Sequence, residues 1–295
     1  MNDLLVVSPE VRAALDDGRA VVALETTLVA HGFPPPHGVA VGLASETAVR
    51  EAGATPATIG VLAGRIRVGL EREELERFTP DARKLGARDL AACAVAGTVG
   101  ATTVGGVLAV ARAVGIHFLG TGGIGGVHRG YPTPPDVSAD LLALVTCPVL
   151  VACSGAKSIL DVPATVEFLE TLGIPVVGFR TDTLPLFYSA SGGPPVPHRV
   201  DDAPAAARIA AGHWQLGGCG LVLASPPPES IEVEELIQEA VAEAARRGVS
   251  GQAITPFVLA FLHERSESRT REVNEALVAA NARLAADVAV AYASL

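Results

Sequence analysis

Two lysines are the residues of this chain best suited to covalent chemistry. Among its 22 lysine and arginine side chains, only Lys84 and Lys157 are lysines. A guanidinium stays protonated, whereas a desolvated lysine amine can lose its proton and attack a carbonyl. Lys157 also follows the apolar run 149–152, at a predicted strand end where α/β enzymes place catalytic groups. A general bias towards arginine would give the same composition, so the surroundings of the two lysines must decide.

Two carboxylates occupy comparable places. Glu25 ends an apolar run and would face the crevice beyond the strand ends, where apolar surroundings raise a carboxyl pKa towards proton donation. A helix cap or an ion pair with an arginine would explain Glu25 equally well. Asp136 follows a proline-rich loop and could offer an oxygen to a hard divalent cation held otherwise by water and substrate. Ser138 or Asp140 would cap the next helix, and for Asp140 the cap is the preferred interpretation.

Histidines and glycine-rich segments suggest sites that the spacing does not support. His31, His128 and His198 lie in glycine and proline loops without a second histidine at ligand spacing, which argues against zinc. Segment 120–125 fits G-x-G-x-x-G, but the prolines that follow cannot continue the helix that a dinucleotide site needs. Its amides could still bind an anion. Segment 154–158 resembles the end of a phosphate loop but lacks the required glycines.

Composition restricts the class of protein. A chain of 295 residues with 49% hydrophobic content can bury a large core, and a net charge of −10 argues against a nucleic-acid partner. Four cysteines without C-x-x-C spacing indicate free thiols in a reducing cytoplasm. The N-terminus shows no signal-peptide pattern, and the uncharged, glycine-rich stretch 90–111 suits a buried helix pair better than a membrane span.

Strands and helices alternate along the chain. Short apolar runs predict buried strands at 20–24, 58–62, 116–120, 148–152, 174–179 and 220–224, with 65–70 hairpinned to the strand before it. Helices are predicted at about 38–52, 89–114 (broken at a glycine), 138–145, 163–172, 204–216, 231–247, 255–264 and 270–293, after a short first helix that begins at Ser8 and ends at Gly18. This order predicts a single domain over 1–295, an α/β three-layer α/β/α sandwich with a mixed, mostly parallel central sheet.

Six motifs in one order resemble a known family. They are LETTLVAHG (24–32), VGG (104–106), GTGGIGGVHRG (120–130), DVSADL (136–141), CSGAKSILD (153–161) and NARLA (281–285). Together they resemble the pseudouridine-5′-phosphate glycosidases, which include the indigoidine synthase A-like proteins, over nearly the whole chain. The resemblance implies an α/β/α fold, a homotrimer and one Mn²⁺ or Mg²⁺ per subunit. The reaction implied is reversible cleavage of the C–C glycosidic bond of pseudouridine 5′-phosphate to uracil and ribose 5-phosphate.

The resemblance also implies roles for individual residues. Lys157 matches the Schiff-base nucleophile, Glu25 the proton donor and Asp136 the metal ligand. Positions that match substrate-binding residues are Lys84, Val104, Ser138, Ala139 and Asp140, with Thr121 and Asn281 near the base. The segment 33–37 departs from the usual proline-containing loop of the family, which affects the rim of the site and not its chemistry.

The chemistry of the residues agrees with these roles but leaves alternatives open. An imine on Lys157 supplies an electron sink beside the C–C bond, and Glu25 can protonate the departing base. The Asn281 amide offers a donor and an acceptor to the imide edge of uracil, or belongs to a core network. Arg129 is a further candidate at the phosphate by residue type alone. A Schiff-base aldolase acting on a sugar phosphate, or a non-catalytic sugar-phosphate-binding regulator, would use many of the same groups.

Overall fold

The sheet brings distant segments of the chain side by side. The computed structural model describes residues 4–133, 135–249 and 251–295, and within these ranges eleven strands form one sheet. The strands are β1 (Leu5–Val7), β2 (Val21–Glu25), β3 (Thr55–Leu62), β4 (Arg65–Val68), β5 (Arg83–Leu85), β6 (Gly100–Thr102), β7 (Phe118–Gly120), β8 (Leu150–Cys153), β9 (Val176–Phe179), β10 (His198–Val200) and β11 (Leu221–Ala224). Their main order is β1-β4-β3-β2-β7-β8-β11-β9-β10, with β6 and β5 attached beside β3.

Helices cover both faces of this sheet. They are α1 (Pro9–Asp16), α2 (His37–Glu51), α3 (Arg72–Leu75), α4 (Leu90–Val95), α5 (Val104–Val114), α6 (Ala139–Thr146), α7 (Val162–Thr171), α8 (Ala203–Gln215), α9 (Glu234–Arg246), α10 (Ile254–Arg265) and α11 (Arg269–Ala293). Along β2, Val21 and Ala23 join one core cluster while Val22 and Leu24 join the other, the two-residue alternation of a strand buried on both sides. The predicted three-layer α/β/α sandwich is confirmed. All ladders are parallel except those of β3 with β4 and with β6.

One predicted helix is wrong. Segment 89–114 is not a broken helix, because β6 lies between α4 and α5. The β-branched Thr102 suits a strand, and a Cβ at Gly100 would meet Leu85 Cδ1 at 2.2 Å, so the close strand pairing needs glycine there. The three-residue strands β1, β5, β6 and β10 were not predicted, since so few residues show no periodicity. The hairpin of β3 with β4 is confirmed.

The strand β6 creates the crevice in which the site lies. β2 ends at Glu25, opposite Ile59, but β3 runs on and pairs its later residue Gly60 with Ala101 of β6. β5 then pairs with β6 and places Lys84 opposite Ala101. The sheet therefore continues beyond the carboxyl end of β2, and Lys84 lies above that end, where open α/β sheets bind ligands.

The helix α11 closes one side of the same crevice. By length and composition α11 could cross a membrane, but half of its most apolar stretch is buried within this fold. It packs on β2, β7 and β8, which identifies it as a core helix. A Cβ at Gly120 would lie 2.6 Å from Ala282 Cα, so glycine at the end of β7 permits the close approach of the helix. The neighbouring residue of α11, Asn281, thereby reaches the segment after β7.

Candidate active site

Glu25 is a buried carboxyl without an arginine partner among the described residues. It ends β2 and is 5% exposed. Burial raises the pKa of Glu25, while the charge of Lys157 and a hydrogen bond donated by the Thr121 hydroxyl to Oε1 act in the opposite direction. The two structural alternatives, a helix cap or an ion pair with arginine, do not describe this side chain. These surroundings favour the protonated form of Glu25 more than water does.

The two lysines of the chain lie in the same electrostatic environment. Burial and then the like charge of Lys157 lower the pKa of Lys84 to about 8, while Asp140 and Glu25 favour its charged form. Both lysine side chains are half-buried. Lys84 comes from β5 and Lys157 from the segment after β8, so tertiary structure unites residues 73 positions apart in the sequence. This convergence argues against two lysines that survived by chance.

The segment that carries Lys157 is held tightly after β8. The backbone N–H of Lys157 donates to Ile124 O at 3.0 Å, which ties it to the glycine-rich loop after β7. Gly155 has φ +81°, and a Cβ there would meet Pro185 O at 2.0 Å, so only glycine fits. These contacts position the backbone of the lysine from two sides.

Asn281 fastens that loop to the end of β8. Its Nδ2 donates to Thr121 O at 2.8 Å, to Ser154 Oγ at 3.1 Å and, more weakly, to Gly122 O at 3.4 Å. Because a carbonyl oxygen can only accept a hydrogen bond, the NH₂ end of the Asn281 amide must face these two acceptors. The NH₂ group of Asn281 therefore belongs to a core network, which is the structural alternative that the sequence left open. Its place beside Thr121, which bonds Glu25, makes it a positioning residue.

Asp140 does not cap its helix, which corrects the preferred sequence interpretation. Ser138 is the cap of α6, and its Oγ accepts from Asp140 N at 3.2 Å. The Asp140 carboxylate is buried and accepts from Gly105 N at 2.8 Å and from Gly125 N at 2.9 Å. Asp140 thus joins the first turn of α5 to the glycine-rich loop. The Gly125 amide, which was expected to bind an external anion, already donates to this carboxylate. Its charge also acts on Glu25 and Lys84.

Two further predicted binding residues lie at helix starts beside Asp140. Val104 is the first residue of α5 and is fully buried, so it offers backbone and not side chain to a ligand. Ala139 is the first residue of α6 and follows the Ser138 cap. Their backbone amides lie at the amino ends of two helices, where partial positive charge favours anions.

Asp136 lies at the edge of this group, next to His128. The Asp136 Oδ2 and His128 Nδ1 atoms are 3.9 Å apart, and the Asp136 side chain is 33% exposed. Burial lowers the pKa of His128, whereas the negative charge of Asp136 acts to raise it. Among the described residues no three histidine, cysteine, aspartate or glutamate side chains cluster as metal ligands. Asp136 is thus a single accessible carboxylate, the protein contribution expected of an ion that keeps most of its water.

Arg129 is not placed as a phosphate anchor. Its guanidinium pairs with Glu234 of α9 at 3.0 Å and donates to Ser158 O and Leu160 O, at 3.2 and 3.4 Å. It lies at a cavity of about 590 Å³, bounded also by Tyr188, on the side of the segment after Lys157. Arg129 therefore supports that segment and is already neutralised by a carboxylate.

No role could be predicted from the sequence alone for several residues that lie beside the end of β2. Thr26 and Thr102 both donate to Ile59 O, at 2.8 and 2.6 Å, and Thr102 N donates to Thr26 Oγ1 at 2.9 Å, which docks β6 beside the end of β2. His31 lies in a π-helical turn, Leu28–Gly32, and its buried Nε2 has no hydrogen-bond partner among the described residues. Burial and then the charge of Lys84 lower the pKa of His31. The sequence signal that could have pointed to Thr26 and His31 is the motif 24–32, which contains both.

Known proteins share this architecture over the full length of the chain. A family model described as indigoidine synthase A like protein matches residues 10–291. Proteins named pseudouridine-5′-phosphate glycosidase are similar to it: one from Herpetosiphon aurantiacus is 48% identical over 97% of both chains, and one from Paracoccus denitrificans is 46% identical over all of both.

Solved structures agree with these matches. A prealnumycin C-glycosynthase in complex with ribulose 5-phosphate has a TM-score of 0.90 at 39% identity and covers all of this chain and 98% of its own. An indigoidine synthase A-like protein from Thermotoga maritima has a TM-score of 0.88 at 36% identity, covering 98% and 97%. Fold and site together define an α/β enzyme with its polar groups at the carboxyl ends of parallel strands. The chain belongs to the indigoidine synthase A-like family, which confirms the resemblance of its six motifs.

Proposed function

We propose that this protein is a pseudouridine-5′-phosphate glycosidase, which reversibly cleaves the C–C glycosidic bond of pseudouridine 5′-phosphate to uracil and ribose 5-phosphate. The observation that carries the proposal is a buried, arginine-free Glu25 within electrostatic range of both lysines. Full-length relatives with the same name, and a structural neighbour that binds ribulose 5-phosphate, support the substrate class.

The proposed reaction passes through an imine on Lys157. The neutral amine of Lys157 forms a bond to C1′ of the sugar as the bond from C1′ to the ring oxygen opens, and that oxygen takes up the proton that the amine nitrogen loses. The nitrogen lone pair then forms C=N while the electron pair of the C1′–C5 bond goes to C5 of uracil, where Glu25 delivers the proton. Water hydrolyses the imine, which restores the amine and releases ribose 5-phosphate. Two carboxylates alone would not suffice, because the leaving atom is carbon.

The surrounding residues orient this chemistry. Thr121 holds the Glu25 carboxyl through its hydroxyl, and the Asn281 network holds Thr121. Lys84 offers a compact positive charge to the phosphate or a sugar hydroxyl. The backbone at Val104, and at Ser138, Ala139 and Asp140, would bind further polar groups of the sugar phosphate.

A divalent cation fits the residues present. Asp136 is accessible and belongs to no group of three or more histidine, cysteine, aspartate or glutamate side chains among the described residues, a donor set that suits Mn²⁺ or Mg²⁺ and not zinc. Such an ion, one per subunit, would supply positive charge for the anionic substrate. The family resemblance further supports a homotrimer, and the free cysteines suit a reducing cytoplasm.

Product formation tests the function directly. The enzyme should convert ribose 5-phosphate and uracil, with Mn²⁺, into pseudouridine 5′-phosphate. A Schiff-base aldolase has no use for uracil, so turnover of ribose 5-phosphate that does not depend on uracil would favour that alternative. Absence of both reactions in folded, Mn²⁺-supplied protein would contradict the proposal.

A further inference from the structure

Arg129 joins the segment that carries Lys157 to the helix α9. Its two terminal nitrogens donate to the two carboxylate oxygens of Glu234, at 3.0 and 3.3 Å. Its Nε atom donates to Leu160 O at 3.4 Å, and Nη2 also donates to Ser158 O at 3.2 Å. One guanidinium thus contacts a carboxylate and two backbone carbonyls at the same time, which needs the planar fork of arginine.

The two carbonyls belong to the turn that begins at Lys157. Leu160 N donates to Lys157 O at 3.0 Å, which closes a turn over residues 157–160. Lys157 N donates to Ile124 O, also at 3.0 Å, so the glycine-rich loop fixes the start of the turn. Arg129 acts on the rest of the turn through Ser158 O and Leu160 O. The direction in which the Lys157 side chain leaves the backbone therefore depends in part on Arg129.

The carboxylate that holds Arg129 is itself fixed on α9. Glu234 is the first residue of this helix, and Gln238, one turn later, donates to Glu234 Oε1 at 3.0 Å. The side chains of Arg129 and Glu234 are 31% and 53% exposed, so their ion pair adds little to stability, and for that purpose a lysine would serve as well. The set of contacts is better suited to fixing the position of a backbone turn than to stabilising the fold.

From these contacts we propose that Arg129, held by Glu234, is a positioning residue that aims the Lys157 amine at C1′ of the sugar. A catalytic group that is misplaced by about 1 Å can lose roughly 10²-fold in rate, even when the change lies away from the reacting atoms. The inference rests on the proposed glycosidase function and its imine. It names the two side chains that make the Lys157 backbone a rigid support for the nucleophile.

Trapping of the imine measures this role before the base takes part. At saturating ribose 5-phosphate and excess borohydride, Arg129→Gln and Arg129→Lys should each form the reduced Lys157 adduct about tenfold more slowly, or slower still. The KM for ribose 5-phosphate should change less than about twofold, because a misplaced nucleophile affects the chemical step and not binding. Loss of a phosphate anchor would raise that KM instead. The Tm should change little, since the pair is exposed.

Two glutamates of α9 offer a matched comparison. Glu234→Gln should slow adduct formation less than Arg129→Gln, because the amide oxygen can still accept one hydrogen bond. Combined with Arg129→Gln, it should cause no further loss, since Glu234 acts only through Arg129. Glu239, on the same helix, forms an exposed ion pair with Arg265, and Glu239→Gln should leave the adduct rate unchanged.

Guanidinium ions separate positioning from folding. Arg129 borders the cavity of about 590 Å³, which is partly open to solvent, so the space left in Arg129→Ala can admit a guanidinium ion. Guanidinium chloride, far below the concentrations that unfold the protein, should restore part of the adduct rate of Arg129→Ala. Ammonium chloride should not, because ammonium lacks the planar fork.

Three results would overturn the inference and leave the glycosidase function standing. They are unchanged adduct rates in Arg129→Gln and Arg129→Lys, a raised KM for ribose 5-phosphate at a normal rate, and a loss that follows a lowered Tm and is not restored by guanidinium. A wild-type enzyme that forms no adduct on Lys157 would instead contradict the imine of the proposed function.

Discussion

Two glutamates of this protein show how its surface and its crevice differ. Glu10 on α1 is about half exposed and accepts hydrogen bonds from both terminal nitrogens of Arg50, which hold the pKa of Glu10 below its ordinary value. Glu25 is buried, has a threonine in place of an arginine, and its pKa is raised by burial. The two environments thus favour opposite forms of the same side chain, the anion at Glu10 and the protonated carboxyl at Glu25.

The basic residues follow the same division. Arginines make the ion pairs of the periphery, including that of Arg129 with Glu234, whereas both lysines lie at the crevice. An exposed pair adds about 1 kcal/mol or less to stability, so either cation would serve there. Only an amine can lose its proton and form an imine. Under the proposed mechanism, arginine could not replace Lys157, whereas at Lys84 it would keep the charge.

The largest effect is expected at Lys157. Lys157→Arg keeps the positive charge but removes the nucleophile, so turnover and the borohydride-reduced adduct with ribose 5-phosphate should both disappear. In the wild type, mass spectrometry should map one reduced sugar phosphate to the peptide that contains Lys157. Lys84→Arg should keep part of both. An adduct on Lys84 would reverse the two roles, and an active Lys157→Arg enzyme would rule out the imine.

Glu25→Gln should reduce kcat by about 10²–10⁴-fold, the usual contribution of a general acid. A carboxyl with a raised pKa in the folded state opposes folding above its unfolded pKa, so at pH 7 the Tm should be unchanged or higher. Glu10→Gln is the control: full activity and an equal or slightly lower Tm, because an ion pair is lost. Glu25→Gln activity within a few-fold of the wild type would return Glu25 to a structural role.

Metal removal should have the next largest effect. Chelation should lower activity about tenfold or more, and Mn²⁺ should restore it, because a bound cation can stabilise developing charge by several kcal/mol. Asp136→Ala should lose Mn²⁺ binding measured by titration while its Tm without metal stays the same. Full activity in excess chelator, together with unaltered Mn²⁺ binding by Asp136→Ala, would sink the metal assignment.

The smallest effect is a pH dependence of substrate binding. With its pKa lowered to about 8, Lys84 is charged below that pH and loses its charge as the pH rises through it. The KM for ribose 5-phosphate should therefore rise roughly fivefold to tenfold between about pH 7 and about pH 9. In Lys84→Arg the cation persists, so the KM should stay flat over this range. A rise of the same size in both enzymes would place the titration elsewhere.

Local pattern was sufficient for the strand ends and their reactive groups. Apolar runs predicted β2 and β8, and therefore the places of Glu25 and Lys157, because buried parallel strands are continuous apolar segments. Local pattern failed for Asp140. Its position near a helix start predicted a cap, but its carboxylate accepts hydrogen bonds from Gly105 N and Gly125 N. Because these two glycines are 35 and 15 residues away in the sequence, local residue spacing cannot indicate the contacts.

By itself, the sequence determined which chemistry the protein can perform. It contains two lysine amines, a carboxyl at a predicted strand end, a lone aspartate in a loop, and the periodicity of a layered sheet. Only the tertiary structure decided which of these groups meet and which amides are already in use. Asn281 and Thr121 are 160 residues apart, yet the Asn281 amide donates to Thr121 O at 2.8 Å. Such distant pairings depend on how helices pack on the sheet, because a side chain can bond only the groups that packing brings within about 3 Å of it.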